Sequence, residues 1–275
     1  MQHADIEEGL RLCRLAGWDQ VHRDWRRFLD DPESTVLAAA HGHDLMATVA
    51  TIRYGTQFSW IGMVLVDPAA QGRGIGTAML RQAFESVSDM TSVRLDATPA
   101  GRVLYQKHGF TDEYPVTRME ATSVRVDHAP RTIVRAMTRG ELPEVVAMER
   151  SVFGAPRGGL LEWMYDGAPQ FAFVAERHGN LCGYLFGRHG HQFEHLGPLV
   201  ADDINVAMTM VKACLARHQD QAFVMDTPHH DDGWIRLLES IGFRPQRPFM
   251  RMYRGRPGPF GTMRHHFAVL GPEFG

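Results

Sequence analysis

Apolar residues recur at helical spacing in the opening segment, with Leu10, Cys13 and Leu15 in one stripe and Trp25, Phe28 and Leu29 in another. Gly17-Trp18-Asp19 separates the stripes, so residues 5–30 are predicted to form two helices. Apolar runs at residues 35–40, 45–54 and 58–66, punctuated by Gly42 and Gly55, predict three strands. The pattern then predicts a helix over 77–88, a strand over 93–96, a helix carrying Leu104 and Tyr105, and strands over 110–114 and 116–121. Residues 122–131, closed by Ala129-Pro130, read as a linker.

The same cycle then restarts. A strand at 132–137 leads to helices over 139–152 and 159–165, and strands follow at 171–176, 181–188 and 193–200. A helix reaching His218, a strand at 222–226 and a helix from Trp234 complete it. The halves align at two places. Asp96-Ala97-Thr98-Pro99 matches Asp226-Thr227-Pro228, and Leu104-Tyr105-Gln106-Lys107-His108-Gly109-Phe110 matches Leu237-Leu238-Glu239-Ser240-Ile241-Gly242-Phe243. Val66 precedes Gly109 by 43 positions and Val200 precedes Gly242 by 42. The expected domains are therefore 1–121 and 132–254, with an extended Gly/Pro-rich tail over 255–275.

One segment carries chemistry. Val66-Asp67-Pro68 ends a strand, and Gln71-Gly72-Arg73-Gly74-Ile75-Gly76-Thr77 leads into a helix. Glycines let bare backbone approach a ligand, and the N–H groups of a helix start lack intrahelical partners and favour an anion. No Lys-Ser or Lys-Thr pair follows Gly76, so a Walker A loop is excluded. A dinucleotide G-x-G-x-x-G fits Gly72 and Gly74 but meets Thr77 at its third position. The second half has Ala201-Asp202-Asp203-Ile204-Asn205 in place of this loop, acidic and without glycine, so only the first half is expected to hold an anion.

The remaining pattern, Gln71-x-x-Gly74-x-Gly76 after a strand and Leu104-Tyr105-x-x-x-Gly109-Phe110 further on, resembles the two signatures of the GNAT (GCN5-related) N-acetyltransferase superfamily. The second half resembles the degenerate domain of tandem GNAT proteins through Gly197-Pro198-Leu199-Val200, Met225-Asp226-Thr227-Pro228 and Phe249-Met250-Arg251-Met252-Tyr253. The resemblance implies an α/β fold of two tandem GNAT-like domains, each a twisted, mostly antiparallel mixed sheet flanked by helices. Such domains usually open with a strand before the first helix, and here only residues 1–4 precede it.

The resemblance also implies roles. Acetyl-CoA would be held at Gln71, Gly72, Arg73, Gly74, Ile75, Gly76 and Thr77 around its pyrophosphate, and along Met63, Val64, Leu65 and Val66 by its pantetheine amides. An amide near Val64 would polarise the thioester carbonyl. Tyr105 would be the acid that protonates the leaving thiolate. The family's Asn beside the next helix falls at Thr98. The acceptor, a primary amine of a small molecule, would meet Trp18, Asp19, Gln20 and Trp25 at the helix break. Neutralising a lysine-like amine at pH 7 costs about 4–5 kcal/mol, yet Phe58–Val66 carries no carboxylate, where many relatives place one. Asp19, Asp96, Glu113, Glu194 and His195 are candidates, and the base stays unassigned. No cysteine is placed for a covalent intermediate, so direct attack in a ternary complex is expected. The alternative is a non-catalytic acyl-CoA-binding or sensor protein.

Bulk properties narrow the class. The chain has 275 residues, 44% hydrophobic and 22% charged, with a net charge of −3. That balance argues against sequence-blind nucleic-acid or membrane binding, and leaves a homodimer open. Three dispersed cysteines, Cys13, Cys182 and Cys214, predict a reducing, cytoplasmic setting. The charged opening residues lack a signal peptide's apolar core. His189, His191 and His195 lack an acidic or cysteine partner at ligand spacing, so no metal is expected.

Overall fold

The computed structural model describes residues 1–42, 44–122, 133–258 and 260–275, so the expected linker lies, from 123 onward, outside the described residues. The chain divides into two compact units. The first comprises Met1–Asp112, Met252–Pro257 and Pro272–Gly275; the second comprises Glu113–Arg251 and Gly258–Gly271. No helix among the described residues is long and apolar enough to cross a membrane.

The first unit opens with α1 (Ile6–Leu15) and α2 (His22–Asp30). Glu7 and Glu8 in the first turn of α1 and Arg14 in its last complement the helix dipole. Asp24 accepts from the Val21 N–H at 2.7 Å and fixes the start of α2. Strands β1 (Ser34–His41), β2 (Asp44–Tyr54) and β3 (Phe58–Val66) form an antiparallel meander. Then come α3 (Ile75–Ser86), β4 (Ser92–Ala97), α4 (Pro99–Lys107) and the start of β5 (Thr111–Ala121). Strand β4 lies parallel to β3.

Side chains of β2 alternate between two buried faces. On one face Arg53 donates to the Ser86 carbonyl of α3 at 2.6 Å. On the other, Tyr54 and Trp60 of β3 meet residues 272–275. The Tyr54 hydroxyl donates to the Phe274 carbonyl at 2.5 Å, the Trp60 indole N–H donates to the Pro272 carbonyl at 2.9 Å, and Phe274 stacks on Phe28 of α2 with centroids 4.6 Å apart.

The second unit contains β6 (Val134–Ala136), α5 (Leu142–Phe153), α6 (Gly158–Gly167), β7 (Phe173–Arg177), β8 (Asn180–His189) and β9 (Glu194–Ala201). It continues with α7 (Ile204–Leu215), β10 (Phe223–Pro228), α8 (Asp232–Ser240), most of β11 (Arg244–Gly255) and β12 (His266–Ala268). Strands β6 to β9 are antiparallel neighbours, β9 and β10 run parallel, and β10 pairs antiparallel with β5. Phe171, Phe173, Phe223, Trp234, Phe243 and Phe267 centre the core.

Both units carry the sequence repeat as strand, helix, parallel strand, helix: β3-α3-β4-α4 and β9-α7-β10-α8. The two final helices end through the same hydrogen bonds. Phe110 N–H donates to the Tyr105 carbonyl and Phe243 N–H to the Leu238 carbonyl, each at 3.1 Å. Gly109 and Gly242 take the positive φ, +82° and +102°, that these ends require.

Two expected elements differ. Helix α3 starts at Ile75, two residues early, because Gly74 at φ +80° supplies its N-cap. The strands expected over 110–114 and 116–121 are one strand, and Pro115 stays within it with its carbonyl accepting from His229 N–H at 3.0 Å.

The second unit buries a charged group. Arg118 donates twice to Asp226, both at 2.8 Å, and His195 Nε2 approaches Asp226 at 2.9 Å. Burial pushes the Asp226 carboxyl up, but Arg118 and His195 together outweigh it and hold it well below the usual carboxylate range. Burial also lowers His195, helped by Arg188 and Arg118 and opposed by Asp226. Both shifts destabilise the fold in acid. The Asp226 contribution is complete above the unfolded value near 3.9 and is lost as pH falls towards the depressed folded value. His195 acts sooner, since the unfolded chain takes up a proton near 6.5 that the fold resists. Urea denaturation should therefore give a stability that declines below about pH 6.5. Asp226→Asn should cost about 3–5 kcal/mol at pH 7, because it leaves Arg118 buried without its counter-charge.

Candidate functional site

The glycine-rich loop connects β3 to α3 and is exposed from Gln71 to Gly74. Gly72 and Gly74 take φ of +75° and +80°, and no heavy atom lies within 4 Å of a Cβ built on either. Among the described residues, no group accepts a hydrogen bond from the N–H groups of residues 72–77. The first such donor with a partner is Ala78, bonded to the Gly74 carbonyl at 3.0 Å. The open cradle and outward amides fit a pyrophosphate. Arg73 is exposed within the loop, and the Gln71 side chain folds back to the Val66 carbonyl at 3.3 Å. The nearby carboxylate of Asp67 is held by Arg11 at 2.7 Å and accepts from Ala69 N–H at 2.9 Å. Arg11 lowers its pKa, with the Ala69 amide adding to the effect.

Strand β3 opens as it approaches the loop. Among the described residues it pairs with β4 only at Ser59↔Val93 and Trp60↔Arg94. Against β2 the register jumps between Thr48↔Leu65 and Ala50↔Gly62, so Met63 and Val64 form a bulge. Met63 sits at φ +53°, and its carbonyl accepts from the buried Thr48 hydroxyl at 2.9 Å. The open edge spans the residues Met63, Val64, Leu65 and Val66 and points along the strand into the loop.

Tyr105 lies in α4 and is buried, with its ring 5.8 Å from that of Phe110. Burial pushes its hydroxyl well above the usual tyrosine value, so it holds its proton. Among the described residues its hydroxyl has no hydrogen-bond partner. Thr98 caps α4 by accepting from Gly101 N–H at 3.2 Å, which leaves its hydroxyl proton and one lone pair for a ligand.

The α1–α2 junction is clamped by Arg14, which donates to the Trp18 carbonyl at 2.7 Å and the Gln20 carbonyl at 2.6 Å. Trp18 and Asp19 are half-buried and Gln20 is buried. Trp25 is fully buried against Gly9, so it supports this wall from behind. Strand β8 ends at His189, and His191 lies beyond it. His189 bonds Glu194 at 2.8 Å, while His195 points inward to Asp226.

The second unit repeats this geometry with its openings filled. At the start of α7, Asp203 accepts from Asn205 and Val206 N–H, each at 2.9 Å, so the helix carries its own anion. The Val206 amide is foremost in lowering the Asp203 pKa. Strand β9 likewise pairs with β10 only at Glu194↔Phe223 and His195↔Val224. Here β12 enters the wedge, pairing His266↔Val200 and Ala268↔Leu199, and Val269 N–H donates to the Asp226 carbonyl at 2.9 Å. A side chain at Gly197 would strike the Val269 carbonyl. Leu238, fully buried, stands where the first unit has Tyr105. Sequence reasoning anticipated the acidic loop but not β12, whose segment shows no strand periodicity.

Comparison with known proteins agrees with this geometry. Two family models described as acetyltransferase (GNAT) domain match residues 32–112 and 145–268. A holothin acyltransferase from Pseudoalteromonas sp. (strain SANK 73390) is 28% identical over 259 residues, covering 94% of this chain and 87% of that protein. A structure from Pyrococcus horikoshii, described as a candidate acetyltransferase, superposes with a TM-score of 0.83 at 21% identity, covering 100% of this chain and 94% of that one. A tandem GNAT protein from the clavulanic acid biosynthesis pathway gives a TM-score of 0.63 at 14% identity, over 94% and 98% of the two chains. The chain is a transferase of the GNAT acetyltransferase family, built as two such domains in tandem.

Proposed function

We propose that the protein is an acetyl-CoA-dependent N-acetyltransferase that acts on a primary amine of a small molecule, by direct attack in a ternary complex in the first unit. The observation that carries this reading is the set of outward N–H groups at residues 72–77 beside the open edge of β3. A holothin acyltransferase among the relatives supports a small-molecule acceptor. The filled wedge and self-capped helix of the second unit favour one cofactor site per chain.

Acetyl-CoA, when bound, supplies an acyl group activated as a thioester. The N–H groups of residues 72–77 and the start of α3 would bind its pyrophosphate, and exposed Arg73 would add a positive charge. The β3 edge from Met63 to Val66 orients the pantetheine arm, and the bulge at Met63 and Val64 turns an amide towards the carbonyl. Tyr105 holds a proton at its hydroxyl oxygen for the departing sulfur, with Phe110 packed against its ring to limit water. Trp18, Asp19 and Gln20 guide the amine.

Gly74→Glu places a side chain in a left-handed conformation costing about 1–3 kcal/mol and adds negative charge where an anion binds. Isothermal calorimetry should show acetyl-CoA affinity reduced about 10–100-fold or more. An unchanged affinity would refute the site. Tyr105→Phe should lower thiol release about 10²–10⁴-fold while leaving acetyl-CoA affinity within about twofold. A wild-type protein that binds acetyl-CoA and releases no thiol with any amine would instead be a sensor.

A further inference from the structure

The proposed reaction leaves one requirement without a residue. An amine of pKa near 10.4 is uncharged in only about one molecule in 2,500 at pH 7, so a base must remove its proton. Strand β3 carries no carboxylate.

The structure delivers one from far along the chain. Residues Pro272–Gly275 belong to the first unit and lie across β3. A Cβ at Gly62 would come within 2.5 Å of the Glu273 carbonyl oxygen and 2.8 Å of its Cα, so Gly62 is the absent side chain that admits Glu273. Gly62 immediately precedes the Met63–Val64 bulge and follows the last β3–β4 pair at Trp60 by two residues. Glu273 is therefore placed where the strands begin to part. The anchors on either side are specific: Trp60 holds Pro272, and Tyr54 and Phe28 hold Phe274.

Among the described residues the first unit buries the carboxylates Asp24, Asp31 and Glu273. Asp24 caps α2 and Asp31 pairs with Arg27 at 2.6 Å. Glu273 adjoins the strand that bears the proposed thioester site. Cys13 of α1 lies close enough to feel both Glu273 and Asp24 of α2, and Tyr54 of β2 bonds the residue that follows Glu273. Burial pushes the Cys13 thiol up to about 12, with smaller contributions from Asp24 and Glu273, so it stays protonated. Tyr54 donates its proton to the Phe274 carbonyl, and Arg94 lies 5.6 Å from the centre of the Phe58 ring.

We infer that Glu273 is the base that accepts the acceptor amine's proton. This deepens the acetyltransferase reading and rests on it. In the step, an N–H bond of the ammonium breaks, nitrogen keeps the electron pair, and a carboxylate oxygen of Glu273 gains the proton, later released to water.

The test is Glu273→Gln in the full chain, with thiol release from acetyl-CoA followed against pH. The probes are phenethylamine and spermidine, and the amine giving the faster wild-type release is carried forward. Acetyl-CoA affinity of the variant should stay within about twofold. Its kcat/KM at pH 7 should fall about 10²–10⁴-fold and recover about tenfold per pH unit as the amine deprotonates in water. Glu273→Asp, which keeps a carboxylate, should retain the wild-type pH profile at reduced rate. A Glu273→Gln rate equal to wild type, a loss of the same size at every pH, or identical profiles for the two variants would overturn the assignment. Wild-type protein that binds acetyl-CoA but releases no thiol with any probe defeats the transferase reading itself, and the base assignment with it.

Discussion

Parallel strands that separate after two residue pairs leave backbone amides and carbonyls in need of other partners, and this requirement governs both units. In the second unit the need is met from within: β12 enters between β9 and β10, and Val269 completes the contact with Asp226. In the first unit β4 leaves β3 after Trp60 and no strand takes its place among the described residues. An extended chain with spaced amides is the kind of molecule that fits such an edge, as in other cases of strand addition. One architecture thus appears once closed by protein and once open to a ligand.

The same contrast holds at the helix starts. An unfilled helix N-terminus attracts an anion, and the two units satisfy that attraction differently. Asp203 sits on the amides of α7 and is bound in turn by Arg177 at 3.3 Å. The glycines before α3 carry no side chain that reaches their own amides. Removing a side chain and removing a charge are both needed to convert the closed form into a receptive one, which is why the two loops differ in length as well as composition.

What was legible in the sequence was local. The glycine loop, the Gly109 and Gly242 helix ends and the repeat all depend on residues within a few positions of one another, and their conformations follow from glycine's access to positive φ. The place of Tyr105 in α4 was legible because its helix end repeats. Helix boundaries were less so: Gly74 capped α3 earlier than the apolar pattern suggested. The docking of 272–275 and the insertion of β12 were hidden, because both lie in a Gly/Pro-rich stretch without periodicity and gain their order from partners distant in sequence. Glu273 eluded sequence reading for the same reason. A search along β3 finds no acid, and only the fold brings Glu273 to it. Trp25 was legible as important but not as buried: aromatic residues at a helix break look alike whether they line a pocket or support its wall.

The anchoring of Phe274 to Tyr54 joins positions 220 residues apart, and that of Pro272 to Trp60 joins positions 212 apart. Contacts of such long sequence separation form late and slowly. During synthesis, the ribosome must therefore finish nearly the whole described chain before the first unit's aromatic face can be covered. Phe28, Tyr54 and Trp60 therefore owe their cover to residues more than two hundred positions further along, and the first unit's aromatic face is completed by the far end of the described chain.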